Sequence, residues 1–145
     1  MMVEVVRCSF ADAAPALGAV RAAVFVVEQG VPTELELDSR DSDCAHVLAR
    51  VKGAAVGTAR LDLAYGGKIG RLAVLSQFRR RGIGQLLLQE IEAIAQETGL
   101  PQVWCHAQTP AIPFYQRRGY RVVGEEFLEA DIPHRRMEKS LVAVP

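Results

Sequence analysis

Residues 68–96 read Lys-Ile-Gly-Arg-Leu-Ala-Val-Leu-Ser-Gln-Phe-Arg-Arg-Arg-Gly-Ile-Gly-Gln-Leu-Leu-Leu-Gln-Glu-Ile-Glu-Ala-Ile-Ala-Gln. A short apolar strand (Ile69, Leu72, Ala73, Val74) runs into a basic glycine turn, Arg79 to Gly84, and a helix opens at once with Gln85-Leu86-Leu87-Leu88. The first N–H groups of a helix have no partner within it, and the helix dipole adds about half a positive charge at that end. Glycines remove the side chains that would keep a diphosphate from those amides, and three arginines place mobile charge around them. The stretch therefore predicts a phosphate cradle between a strand and a helix.

The glycine spacing narrows the ligand. A dinucleotide fingerprint requires G-x-G-x-x-G, but Leu87 stands where the third glycine belongs, and no acidic residue ends a second strand about 20 residues later. No Walker string G-x-x-x-x-G-K-[ST] is present. What remains is Arg-x-x-Gly-x-Gly after a strand ending Leu72-Ala73-Val74. On these residues the chain resembles the GNAT superfamily of acyl-CoA-dependent N-acetyltransferases, in which this turn binds the pyrophosphate of coenzyme A. Phe114-Tyr115-Gln116-Arg117-Arg118-Gly119-Tyr120 resembles that family's F-Y-x-x-x-G-[FY] segment. Val24 to Gln29 with the acidic loop after it extends the likeness upstream, and Ile132-Pro133-His134 with Met137 resembles the ending of the small ElaA/YjcF-like branch. These segments follow the family's order over nearly the whole chain.

Composition bounds the rest. The 145 residues suit one domain, residues 1–145, and half of them are apolar, enough for a sizeable core. No unbroken run of about 18 apolar residues occurs, so no membrane span or membrane partner is expected. The opening Met1-Met2-Val3-Glu4 has neither the basic nor the apolar part of a signal peptide. Cys8, Cys44 and Cys105 are an odd count at unrelated spacings, which suits a reduced, cytoplasmic setting. Formal net charge is zero and the arginine runs are short and scattered without interleaved aromatics, so nucleic acid is not expected as a partner. Adjacent Cys105 and His106 point to opposite faces of a strand and no C-x-x-C or H-x-x-x-H exists, so no metal is expected.

Periodicity orders the elements. A first strand spans Val3 to Cys8; Asp12 caps a helix whose stripe Leu17, Val20, Val24, Val27 runs to Glu28 and stops at Gly30 and Pro32. The acidic stretch 33–43 holds a short helix or a loop. Strands at 44–51 and 54–64 form a hairpin, the strand 68–75 enters the glycine turn, and a helix follows with Ile83, Leu86, Leu87, Ile91 and Ile94 on one face. A strand at 102–106, a short helix at 110–118 and two last strands, 120–127 and 135–142, complete the order. It implies a mixed α/β (α+β) fold: one six- to seven-stranded mixed sheet with helices on both faces. An exposed strand near the C-terminus would let two copies pair as a homodimer.

The resemblance also implies that the strand before the glycine turn and the strand 102–106 splay at the centre of the sheet. The amides and carbonyls so orphaned, on Leu72, Ala73 and Val74, would pair with pantetheine as if it were an added strand and polarise the thioester oxygen. The amides of Arg80, Arg81, Gly82, Ile83, Gly84 and Gln85 would take the pyrophosphate, with Arg79 and Arg81 as charge partners. The implied reaction is direct attack of a neutral amine, small or lysyl, on acetyl-CoA. Tyr115 is the expected acid toward the leaving sulfur. A base must deprotonate the amine, and Glu28, at the end of the first helical face, is the first choice. His46 reads as a core histidine. His134 is expected at the acceptor, with Glu34 and Asp38 as a steering patch for a cationic amine. The residues leave a second reading open, a coenzyme A binding or sensing module with little turnover.

Overall fold

The computed structural model describes residues 1–142. Strands β1 (Val3–Cys8), β2 (Ala45–Val51), β3 (Ala54–Asp62), β4 (Lys68–Val74), β5 (Gln102–Gln108), β6 (Arg121–Glu129) and β7 (Ile132–Ser140) form one sheet in the order β1-β2-β3-β4-β5-β7-β6. Neighbouring strands are antiparallel except β4 and β5. Two helices matter most for packing: α1 (Phe10–Arg21), continued as a π-helix by Ala22–Glu28, and α3 (Ile83–Glu97). The short α2 (Thr33–Glu36) and α4 (Ile112–Gln116) sit in the connections.

Alternation along β2 sorts the two layers. Val47, Ala49 and Val51 face α3 with Leu87, Leu88 and Ile91, while Leu48 faces α1 with Ala13 and Leu17. Leu87, Leu88 and Ile91 are completely buried, worth about 1.5–3 kcal/mol each by the transfer scale. Gly57 lets α3 approach: a Cβ there would lie 2.9 Å from Leu87 Cδ1.

The expected element order and mixed sheet are present, with local corrections. The cap of α1 is Ser9, whose Oγ accepts the Asp12 N–H at 3.1 Å; Asp12 itself lies in the first turn, where its charge meets the helix dipole. The final strand begins at Ile132, so His134 lies inside it, and β5 runs on to Gln108. The continuous helix Phe10–Glu28 is long and apolar enough by length and composition to cross a bilayer, which a search for unbroken apolar runs does not show. In the fold its Leu17, Val20 and Val24 lie against the sheet, and Arg21 is buried there in ion pairs.

Candidate active site

β4 and β5 are paired only at Lys68–Trp104 and Ile69–Cys105, and beyond Ile69 they diverge. On its other side β4 carries a bulge at Arg71, whose φ is 53°, and Thr58 Oγ1 donates to the Arg71 carbonyl at 2.8 Å. The slot opened by this divergence joins two cavities. One, of about 490 Å³, is lined by Leu72, Ala73, Val74, the glycine turn and Phe114. The other, of about 380 Å³, is walled by the segment 35–40, β3, β4, β5 and the β6–β7 hairpin. Phe25, Gln29, Leu72, Gln108 and Tyr115 line both, which places them at the junction. Gln108 Nε2 donates to Gln29 Oε1 across it at 2.8 Å.

The glycine turn lies as its sequence predicts. Gly82 has φ 81° and ends the turn; the first hydrogen bond that closes α3 is Leu86 N–H to Gly82 O at 3.1 Å. Among the described residues, the N–H groups of Arg80 to Gln85 donate to no carbonyl or side chain, while Arg80, Gly82, Ile83, Gly84 and Gln85 line the larger cavity. Arg80 itself holds a left-handed φ of 63°. A non-glycine residue held at positive φ is a strained position of the kind that recurs at ligand-binding turns. Arg118 closes the far side, stacked 4.1 Å over Phe114 and bonded to Gln85 Oε1 at 2.9 Å.

Tyr115 stands on α4, 7 % exposed, in edge contact with Phe114 and Tyr120. Burial, with Cys105 beside it, pushes its phenol well above the ordinary value, so it stays protonated. The Cys105 thiol is likewise pushed by burial up to about 12.

Several expected residues lie elsewhere than their assigned roles require. Glu28 lines neither cavity and is held in a bidentate pair with Arg79, at 2.6 and 2.7 Å. That hydrogen bonding holds its carboxyl below the usual range, which weakens it as a base. Arg79 Nε also donates to Val74 O at 2.9 Å, so this carbonyl is already engaged. Arg81 turns away, toward the Phe78 ring and Met1. Glu34 is exposed and lines neither cavity. His46 is a core histidine bonded to Asp41 O at 2.8 Å, and burial pulls its pKa down.

The acidic loop is not a free patch. Glu36, Asp38 and Asp41 are taken by arginines from three other elements. Arg21 Nε meets Glu36 at 2.9 Å and its Nη1 meets Asp41 at 2.8 Å; Arg60 holds Asp38 at 2.6 Å and Asp41 at 2.9 Å; Arg71 Nε meets Glu36 at 2.8 Å. Burial raises the Asp38 and Asp41 carboxyls, but the arginine hydrogen bonds outweigh it and hold both below the usual carboxylate range. The network anchors the Arg71 bulge to the loop rather than presenting carboxylates to an amine. Charged residues inside apolar strands, Arg60 and Arg71, were the signal for it.

His134 does line the smaller cavity, buried, with Nδ1 2.6 Å from Ile132 O. His106, which sequence reasoning weighed only as a metal neighbour, lines it too, with Nδ1 3.1 Å from Glu129.

A family model described as "Acetyltransferase (GNAT) domain" matches residues 13–141. The uncharacterized N-acetyltransferase YjcF of Bacillus subtilis (strain 168) is 40 % identical over 122 residues, 83 % of this chain and 87 % of that protein. The crystal structure of Escherichia coli ElaA superposes with a TM-score of 0.84 at 30 % identity, over 94 % of this chain and 99 % of the other. An acyl-CoA N-acyltransferase from Pseudomonas aeruginosa gives a TM-score of 0.84 at 32 % identity, over 95 % and 99 %.

Proposed function

The chain belongs to the GNAT acetyltransferase family, and from that premise we propose that it moves an acetyl group from acetyl-CoA to a primary amine by direct attack. The observation that carries this reading is the row of unpartnered N–H groups from Arg80 to Gln85 at the mouth of the larger cavity. Oriented donors at a helix start suit a diphosphate and cost nothing to reorganise when it arrives. Arg80 and Arg118 line the same cavity and supply charge beside them.

The divergence of β4 from β5 leaves the β5-facing main-chain groups of β4 beyond Ile69 without a strand partner along the cavity wall, while Ala73 pairs with Thr58 of β3. A pantetheine arm, with two amides, satisfies them as an added strand. An N–H here also meets the thioester oxygen as charge grows on it. Tyr115, at the junction and held protonated by burial, is where the departing sulfur needs a proton. The smaller cavity is then the acceptor side. Because its loop carboxylates are bound to arginines, it recognises the amine by shape and by the polar groups of β5 and the β6–β7 hairpin rather than by an acidic patch.

Thiol release from acetyl-CoA against a panel of amines tests the reading. Turnover in the wild type that falls about 10²–10⁴-fold in Tyr115→Phe supports it. Tight acetyl-CoA binding with no turnover on any amine would instead favour a binding module.

A further inference from the structure

We infer that His106, oriented by Glu129, is the group that deprotonates the acceptor amine; the inference rests on the acyl-transfer reading above. Among the described residues four carboxylates line the acceptor cavity, and three are bound to arginine: Glu36 to Arg21 and Arg71, Asp38 to Arg60 and Arg71, Asp62 to Arg40. Glu28 is outside that cavity and clamped to Arg79. The fourth, Glu129, is bound to no arginine; it meets two imidazoles, His106 Nδ1 at 3.1 Å and His134 Nε2 at 3.7 Å.

The two histidines differ in what remains to them. His134 has Nδ1 at 2.6 Å from Ile132 O, which makes that nitrogen the donor, and its Nε2 is turned to Glu129. His106 has Nδ1 on Glu129, which sets the proton there, and among the described residues its Nε2 has no partner. Ring contacts fix the imidazole: Trp104 lies at 5.3 Å and Phe127 at 4.7 Å, both edge-on. Lining the cavity with Tyr115 and Leu72, His106 offers an oriented lone pair toward the acceptor. The other charged groups around it are Lys68 on β4, at Trp104, and Arg136 on β7, its partner in register, stacked 4.0 Å over Trp104.

The protons balance. The incoming ammonium gives one to His106 Nε2 and becomes a nucleophile. The C–N bond forms as the C–S bond breaks. The nitrogen's second surplus proton ends on the sulfur by way of Tyr115, and His106 returns its own to solvent, so the reaction releases one proton overall.

The test is the pH dependence of kcat/KM for the best amine of a panel (a diamine, an aminosugar, an α-amino acid and a lysyl peptide) at saturating acetyl-CoA. His106→Asn and His106→Gln are expected to lose about 10²–10⁴-fold at neutral pH and to lose the acidic limb of the profile, while acetyl-CoA affinity and the circular dichroism spectrum stay as in the wild type. Glu129→Gln, a positioning residue, is expected to lower kcat with the amine KM little changed. Both His106 variants keeping the wild-type rate and acidic limb would overturn the assignment and leave acyl transfer standing. A wild type that turns over no amine would overturn both. Should either His106 variant fold poorly, the kcat-against-KM split in Glu129→Gln decides, and an unchanged kcat there rejects the pair.

Discussion

Gly82→Ala isolates the cradle. Gly82 holds φ 81° with nothing within 4 Å of the site of an added Cβ, so the penalty is conformational rather than steric. A left-handed alanine costs about 1–2 kcal/mol, equivalent to about 2–8 °C in Tm at this chain length. The chain relieves that strain by rotating the neighbouring peptides, and those carry the unpartnered amides of the turn. Each hydrogen bond lost to a charged oxygen is worth about 1.5–3 kcal/mol, or about 10- to 150-fold in affinity. Gly53 is the control: its φ is 79°, it too has open space around it, and it turns the β2–β3 hairpin away from both cavities. Titration calorimetry with acetyl-CoA and thermal melts on both variants separate the effects. Similar Tm losses are expected, with weakened binding confined to Gly82→Ala. Equal affinity in the two variants would refute the diphosphate role of residues 80–85.

Arg21→Met takes from buried Glu36 and Asp41 one of the two arginines that hold each, leaving Arg71 and Arg60 in place, and is expected to destabilise by about 1.5–3 kcal/mol; a thermal melt within about 2 °C of wild type would contradict the network's role. The carboxyls of Asp38, Asp41 and Asp62 are all held low, so the stability they contribute is fully present above about pH 4 and is lost as pH falls through their folded values. Urea midpoints should therefore drop steeply from pH 4 downward, and a flat series over that range would show the pairs contribute nothing. Glu28→Gln is expected to leave kcat within about threefold and to tighten acetyl-CoA at low salt, because Arg79 is released toward the groove; a kcat loss of about 10²-fold or more would restore Glu28 as the base.

Much of the local structure around the glycine turn was legible in the sequence. The strand, glycine turn and helix of residues 68–96 depend on local rules, namely apolar spacing, unpaired amides at a helix start and a residue free to take positive φ. Gly82 does so at 81°. The acceptor half was not legible in this way. Glu28 reads as an available carboxylate until Arg79, 51 positions away, is found against it. Asp38 reads as part of a steering patch until Arg60 and Arg71 arrive from β3 and β4. His106 acquires a role only because Glu129, 23 residues on, folds back over β5.

From the sequence alone came the element order, the mixed sheet and a glycine turn at a helix start, because backbone geometry and hydrophobic periodicity act between residues a few places apart. Which carboxylates are neutralised and which imidazole is left with an open nitrogen was decided by tertiary structure. A charge's chemistry depends on partners within about 4 Å, and those partners come from distant parts of the chain.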